Sequence, residues 1–274
     1  MTKNSQRVMD TDKSFRHRTL ATKLRPPSWG VRHMPRPRLS VDLTNVDSFR
    51  LALVSAPAGS GKTTFLSEWY LVLQKRHVVT TWLSLDDFDN EPRRFLVHLV
   101  SAIQAVRPDF GREALGYLTV NPDVLIADVA TSLVHDFGRI NSRVVVFLDD
   151  YHEIRDQAIH SVVDFLLRYA SANAQFVIST RKDPPLSIER LRVRGEVLEI
   201  RWENLRFNVD EARRYLKEVC SLKVSEDQVH ALCHRTEGWI TGLQLAAMTL
   251  TETTDADGFL TGFTGAQRKI ADYL

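Results

Sequence analysis

With only two cysteines in 274 residues, Cys220 and Cys233, the chain cannot carry a disulfide framework. A reducing, cytoplasmic setting fits it best. No C-x-x-C pair is present. Although Cys220, His230, Cys233 and His234 lie close in sequence, their spacing matches no zinc module, and buried thiols are the simpler reading. No apolar run reaches the roughly 18 residues needed to span a bilayer. No signal-peptide hydrophobic segment follows the basic start either, so no membrane partner is expected. Internal repeats and low-complexity blocks are absent too, which sets repeat arrays aside.

What is present is ordinary globular material: 43% apolar and 26% charged residues, enough for one large domain or two smaller ones. The net charge of +2 conceals an asymmetry. Residues 1–38 hold ten Lys/Arg against Asp10 and Asp12, a net of +8, so the remainder carries −6. A basic leader can meet nucleic acid or a membrane surface, or it can be a solvated tail. Few aromatics and no repeating apolar face favour the tail. Prolines in "RPPSWG" and "MPRPRL" make this leader irregular.

From Leu51 a strand-and-helix alternation sets in. The runs "LALVS", "HVVTTWLSL", "RVVVFLDD", "QFVISTR" and "EVLEIRW" read as strands. Between them, "KTTFLSEWYLVLQKR", "PRRFLVHLVSAIQAV", the stretch near Val124–Phe137 and "QAIHSVVDFLLRYA" carry helical periodicity. Such alternation predicts a parallel sheet with helices on both faces. After Leu205 the pattern is helical only, with Asn208/Glu211 and Ser225/Gln228 in N-capping positions. The last residues, "GAQRKIADYL", read as the opening of another helix.

The stretch "SAPAGSGKTT" is the chemically specific one. It resembles a phosphate-binding loop, G-x-x-x-x-G-K-[ST], except that Ala56 stands where the pattern wants its first glycine. A strand feeds a tight turn and a helix begins at once, so unpaired backbone amides from Ala58, Gly59, Ser60, Gly61, Lys62, Thr63 and Thr64 face an anion. Gly59 and Gly61 make the backbone permissive. Lys62 brings charge to the β/γ-phosphates, and Thr63 offers a hydroxyl to Mg²⁺. Alanine at 56 matters if the position needs positive φ and is mild if it is extended; Pro57 pushes it toward extended backbone.

A second element is "VVVFLDD", an apolar strand ending in carboxylates at the sheet edge where ligands bind in such folds. Asp149 suits the water shell of the metal, and Asp150 suits orientation or deprotonation of a hydrolytic water. The third is "VISTR", where a strand tip between loop and acid strand brings Ser179, Thr180 or Arg181 within reach of a γ-phosphate, arginine stabilising its charge. The aspartates of "LDDFDNEP" (Asp86, Asp87, Asp89) read at least as well as a solvated acidic turn, and His152 stays ambiguous.

Taken together, the chain resembles the ATPase portion of MalT-like transcription regulators, large LuxR-type members of the STAND class of signal-transducing NTPases. The resemblance runs through "TKLRPP", "PRPRL", "SAPAGSGKTT", "TWLSLDDFDNEPRRFL", "VVFLDDYHEI", "VISTRKDPPLSIERLRVRGEVLEIR", "LRFNVDEARRYL" and "TEGWITGLQLAA". It implies ATP and ADP as ligands with Mg²⁺, and self-association in the ATP form against a closed ADP monomer. It also implies a small helical and winged-helix region folded over the nucleotide. Two residues depart from the family: Ala56, and Ile240 where proline usually follows "GW" in a motif that contacts the base. The family's helical-repeat sensor and DNA-binding helix-turn-helix do not fit in 274 residues, so DNA contact is expected only through a part absent from this chain.

The expected architecture is therefore a basic leader over 1–38, a P-loop NTPase domain over 39–205 and a helical or winged-helix region over 206–274. The expected function is an ATP-binding, slowly hydrolysing switch of a signal-responsive transcription regulator. Its rivals are a nucleotide-binding interaction module without turnover and a DNA-binding protein using the leader; a small-molecule kinase would want a substrate lid that cannot be located.

Overall fold

Each of the five apolar runs forms a strand: β1 Leu51–Ser55, β2 Val79–Ser84, β3 Val144–Asp149, β4 Ala174–Thr180 and β5 Val197–Arg201. They build one parallel sheet in the order β2-β3-β4-β1-β5. The computed structural model describes residues 19–28, 33–40, 49–120 and 124–252. The helix expected in "GAQRKIADYL" lies outside them.

Side chains alternate across the sheet, and both sides are covered. Leu51 and Leu53 of β1, Val144, Val146 and Leu148 of β3, and Phe176 and Ile178 of β4 point to one core. That face is closed by α2 Pro92–Gln104, α3 Arg112–Val120, α4 Ile126–Gly138 and α5 Gln157–Tyr169. Ala52, Val54, Val145, Phe147 and Val177 point the other way, onto α1 Lys62–Lys75. This second core is aromatic: Trp69 and Tyr70 of α1 meet Phe147 edge-on at 5.9 and 5.6 Å, and Trp82 stacks on Phe147 at 5.6 Å. Helix α3 is absent from the sequence reading. Only Ala114 and Leu118 of its nine residues are buried, so it leaves almost no periodic signal.

Beyond Leu205 the described residues are helical: α6 Val209–Arg214 running into a π-turn Tyr215–Val219, α7 Glu226–Arg235 and α8 Ile240–Glu252. Both predicted N-caps form, Asn208 with Glu211 and Ser225 with Gln228. Phe207, Tyr215, Leu216, Val229, Leu232 and Leu243 give this part its own core. The chain leaves α7 through two left-handed residues, Glu237 (φ 52°) and Gly238 (φ 76°), with Gly238 N–H bonded to Cys233 O at 2.9 Å. A Cβ on Gly238 would lie 2.2 Å from Phe207 O, so only glycine fits this reversal, and the reversal is what delivers Trp239 to the sheet edge.

The leader, where described, is not a solvated tail. Lys23 is buried and contacts Asp89, 3.0 Å from Asp86 as well. Arg36 is buried against Glu211, with Arg38 at 3.3 Å. The charge excess looks solvated in sequence because its partners lie 66 and 175 residues away, beyond any local pattern. Asp89 corrects the acidic-turn reading in the same way. It has no exposed surface and accepts from Lys23, the Asp86 amide and His98, which together hold its carboxyl low against the opposing effect of burial.

Candidate functional site

The order β3-β4-β1 sets three carboxyl ends side by side, and the chemistry-bearing residues sit just past them. At the end of β1, Ala56 N–H still bonds Thr180 O at 3.2 Å, so the residue continues the sheet. Ala56 is not among the positive-φ residues. The glycine missing from the loop pattern is thus a position alanine occupies without strain. Gly59 (φ 67°) and Gly61 (φ 82°) are the two left-handed positions, and glycine holds both. Gly61 caps α1, whose first residues are Lys62 and Thr63.

Lys62 is buried, its Nζ donating to the carbonyls of Ala56 at 2.9 Å and Pro57 at 3.0 Å. Burial pushes its ammonium pKa down and nearby Asp150 pulls it up. Thr63 Oγ1 donates to Asp149 Oδ1 at 3.2 Å, joining the loop to the acid strand across 86 positions. Ser179 Oγ donates to the same oxygen and accepts from Asp150 N–H at 2.9 Å. Burial, with the neighbouring Asp150 charge, pushes the Asp149 carboxyl up to about 6 despite these donors.

Asp150 is itself left-handed (φ 58°, ψ 40°), a conformation that short polar side chains tolerate, and its side chain is half-exposed. Asp150 and Arg181 line the same cavity as Ala58, Gly59, Gly61, Lys62, Thr63 and Thr64. Ser60 is buried in the loop, its hydroxyl without a hydrogen-bond partner among the described residues. Thr180 is turned away, donating to Lys182 O at 2.6 Å. His152 stands behind Asp150, 3.9 Å from its carboxylate and 3.3 Å from that of Glu153, with burial pushing its imidazole down.

The cavity has a volume of about 420 Å³, and its far wall is built by segments remote in sequence from the loop. The leader contributes His33, Met34 and Arg36, with Leu39 just after it; the helical part contributes Phe207, Tyr215, Ile240, Thr241 and Gln244. The resemblance implies a helical region folded over the nucleotide, and "PRPRL", "LRFNVDEARRYL" and "TEGWITGLQLAA" hold residues of both sets, but no local pattern says which of them face the cavity. Trp239 Nε1 donates to Ala58 O at 3.1 Å and Thr241 Oγ1 to Gly59 O at 2.8 Å, so the start of α8 is pinned on the loop. Ile240, in place of the family's proline, packs near Gly61.

Glu68, a polar residue on an apolar helix, carries no local sequence signal of a role at the site. It lies 2.9 Å from His33 Nε2 on the cavity wall. Burial pushes its carboxyl up to about 7 against the pull of Arg36, and burial pushes His33 down. A carboxyl raised in the folded chain keeps its proton where the unfolded chain has released it. Its contribution is therefore full below about 4.5 and is lost as pH rises through about 7. Stability is expected to fall by on the order of 2 kcal/mol between about pH 5 and about pH 8 from this group, and Glu68→Gln should flatten the slope. Urea unfolding at a series of pH values reads both; an unchanged slope in the variant rules the assignment out.

No family model matches the chain. It is 34% identical over 257 residues to the serine/threonine-protein kinase PknK of Mycobacterium tuberculosis, covering 93% of this chain. It is 33% identical over 213 residues, 78% of this chain, to the HTH-type transcriptional regulator MalT of Yersinia enterocolitica. The chain spans 23% of the length of each of these relatives. Among solved structures it superposes on the Walker-type ATPase of Pyrococcus abyssi with a TM-score of 0.54 at 14% identity, over 85% of this chain and 74% of that one. The fold is that of a P-loop NTPase.

Proposed function

Given that the chain is a MalT-like NTPase region, we propose that it binds ATP and ADP at the cavity beside the loop, hydrolyses ATP slowly and acts as a STAND-type switch within a signal-responsive regulator. The observation that carries this reading is the meeting of Lys62, Thr63 and Asp150, from two separate strand ends, on one cavity large enough for part of a nucleotide, with Asp149 bonded to Thr63 behind them. That related regions occur in a protein kinase and in an HTH-type regulator supports a module whose output is set by the parts joined to it.

The residues suit distinct tasks. The amides of Ala58 to Thr64 face the phosphates at the start of α1, and Lys62 supplies the compensating charge. Thr63 and Asp149 present hard oxygen donors side by side, a set that fits Mg²⁺, which keeps several waters and shares its ligands with phosphate. Bound there, the ion would neutralise charge on the β- and γ-phosphates. Ser179 fixes Asp149 and the Asp150 amide at once and is a positioning residue. Asp150, half-exposed into the cavity, orients the attacking water, and Arg181 meets the γ-phosphate.

Hydrolysis is separated from binding by Asp150→Asn. Asparagine accepts the left-handed backbone, so the variant keeps its shape. Phosphate release should fall by about 100-fold or more while ATP affinity stays within about threefold. Equal release from both proteins would remove Asp150 from the chemistry; no release from either would leave a binding module without turnover.

A further inference from the structure

A second cavity, also about 420 Å³, lies at the opposite edge of the sheet. Its wall includes Arg50 and Glu196, which immediately precede β1 and β5, whereas the loop cavity follows β1. Four arginines face it: Arg50, Arg168, Arg190 and Arg194. Their pairing is uneven. Arg50 caps the carbonyls of Ser171 (2.6 Å) and Ala174 (3.3 Å) and feels the charge of Glu196. Asp164, the other acid of the wall, accepts from the Ser187 amide and hydroxyl. Arg168, Arg190 and Arg194 make no ion pair among the described residues.

The contrast within one short helix, Glu189–Val193, sharpens this. Arg192, on its other side, contacts Glu189, Asp183 and Glu199. Arg190 and Arg194, four apart and so on one side, turn to the cavity, whose two acids, Asp164 and Glu196, form no ion pair with them. Beside them Tyr169, half-exposed, packs on Phe165 with ring centroids 4.7 Å apart, and the Arg168 guanidinium lies 5.1 Å from the Tyr169 ring. Four guanidinium groups against two carboxylates leave a positive excess around this concavity that suits a phosphate, and the exposed aromatic ring suits a flat apolar body beside it.

We propose that this cavity is a second ligand site, taking a small organic phosphate with an aromatic ring, and that it is separate from the nucleotide site. The probe is phenyl phosphate, titrated calorimetrically into the wild-type chain, Lys62→Ala and the double variant Arg190→Gln/Arg194→Gln. Both arginines are exposed, so the double variant should unfold at the wild-type temperature. Phenyl phosphate should bind wild type and Lys62→Ala alike and weaken about tenfold or more in the double variant, while phenol and inorganic phosphate each bind more weakly. Loss in Lys62→Ala with retention in the double variant would put the phosphate on the loop and overturn the site. So would no binding at millimolar probe, or binding of a glutamate-rich peptide in its place. None of these outcomes decides whether ATP binds at the loop.

Discussion

Lys62→Ala should lose at least about 100-fold in ATP affinity, some 3 kcal/mol, while unfolding within a few degrees of the wild type. The size follows from where the lysine stands. Its ammonium is buried beside the loop, where an ion interacts more strongly than in bulk water, and its hydrogen bonds there go to the neutral carbonyls of Ala56 and Pro57. Stability should be spared because Lys62 already bears a desolvation cost and donates only to the loop carbonyls of Ala56 and Pro57, while alanine suits the first turn of α1. Calorimetry and thermal unfolding of the same preparation make the comparison. An unchanged dissociation constant at equal stability would refute the loop assignment.

Arg36→Ala should be the most destabilising single change to the leader, by about 3 to 5 kcal/mol. Arg36 meets Glu211 with both sides of its fork, Nε to Oε1 at 3.1 Å and Nη2 to Oε2 at 2.9 Å. It also donates to the carbonyls of Leu205 (2.6 Å) and Arg206 (3.0 Å) and lies 4.2 Å over the Phe207 ring. Glu211 is 2% exposed, so the variant leaves a buried carboxylate with Arg38 and the Asn208 amide alone. Arg36→Lys should recover little, since a lysine cannot reproduce the two-pronged contact. Adding Glu211→Ala to Arg36→Ala should cost less than the two separate losses summed, because the second change removes the stranded charge. Denaturant unfolding of the four proteins supplies the cycle, and strict additivity would show that the pair is not coupled. Because Arg36 also walls the loop cavity, its loss should weaken ATP as well.

These two residues mark the boundary of what the sequence discloses. Lys62 is legible because its chemistry is local: strand, turn, two glycines and helix follow one another within fourteen residues. The strands are legible for a similar reason, since Val144 to Leu148 are buried on both faces and so read as an unbroken apolar run. Even the place of "VISTR" between loop and acid strand was within reach, and β4 does lie there. Arg36, Lys23 and Asp89 are not legible in this way. Their meaning is set by partners brought together only by folding, and a basic segment looks the same in sequence whether it is solvated or pinned. The far wall of the cavity is legible only through the resemblance, which implies a helical region over the nucleotide; His33, Glu68 and Tyr215 come from three distant segments, and no local pattern says that they meet.

Ala56 shows the converse, a departure from the loop pattern that looks damaging in one dimension and is benign in three. The position extends β1 and bonds across to Thr180, so a side chain is no obstacle there. At Gly59 the opposite holds, for a Cβ would stand 2.5 Å from Thr241 Oγ1 on a left-handed backbone.

The central claim is that the loop holds a magnesium nucleotide, and titration of the folded chain with ATP, in magnesium and then in its absence, tests it most directly. A saturable isotherm with one site per chain is expected, weaker without magnesium and displaced by ADP. A folded chain that yields no saturable heat up to millimolar ATP would contradict it.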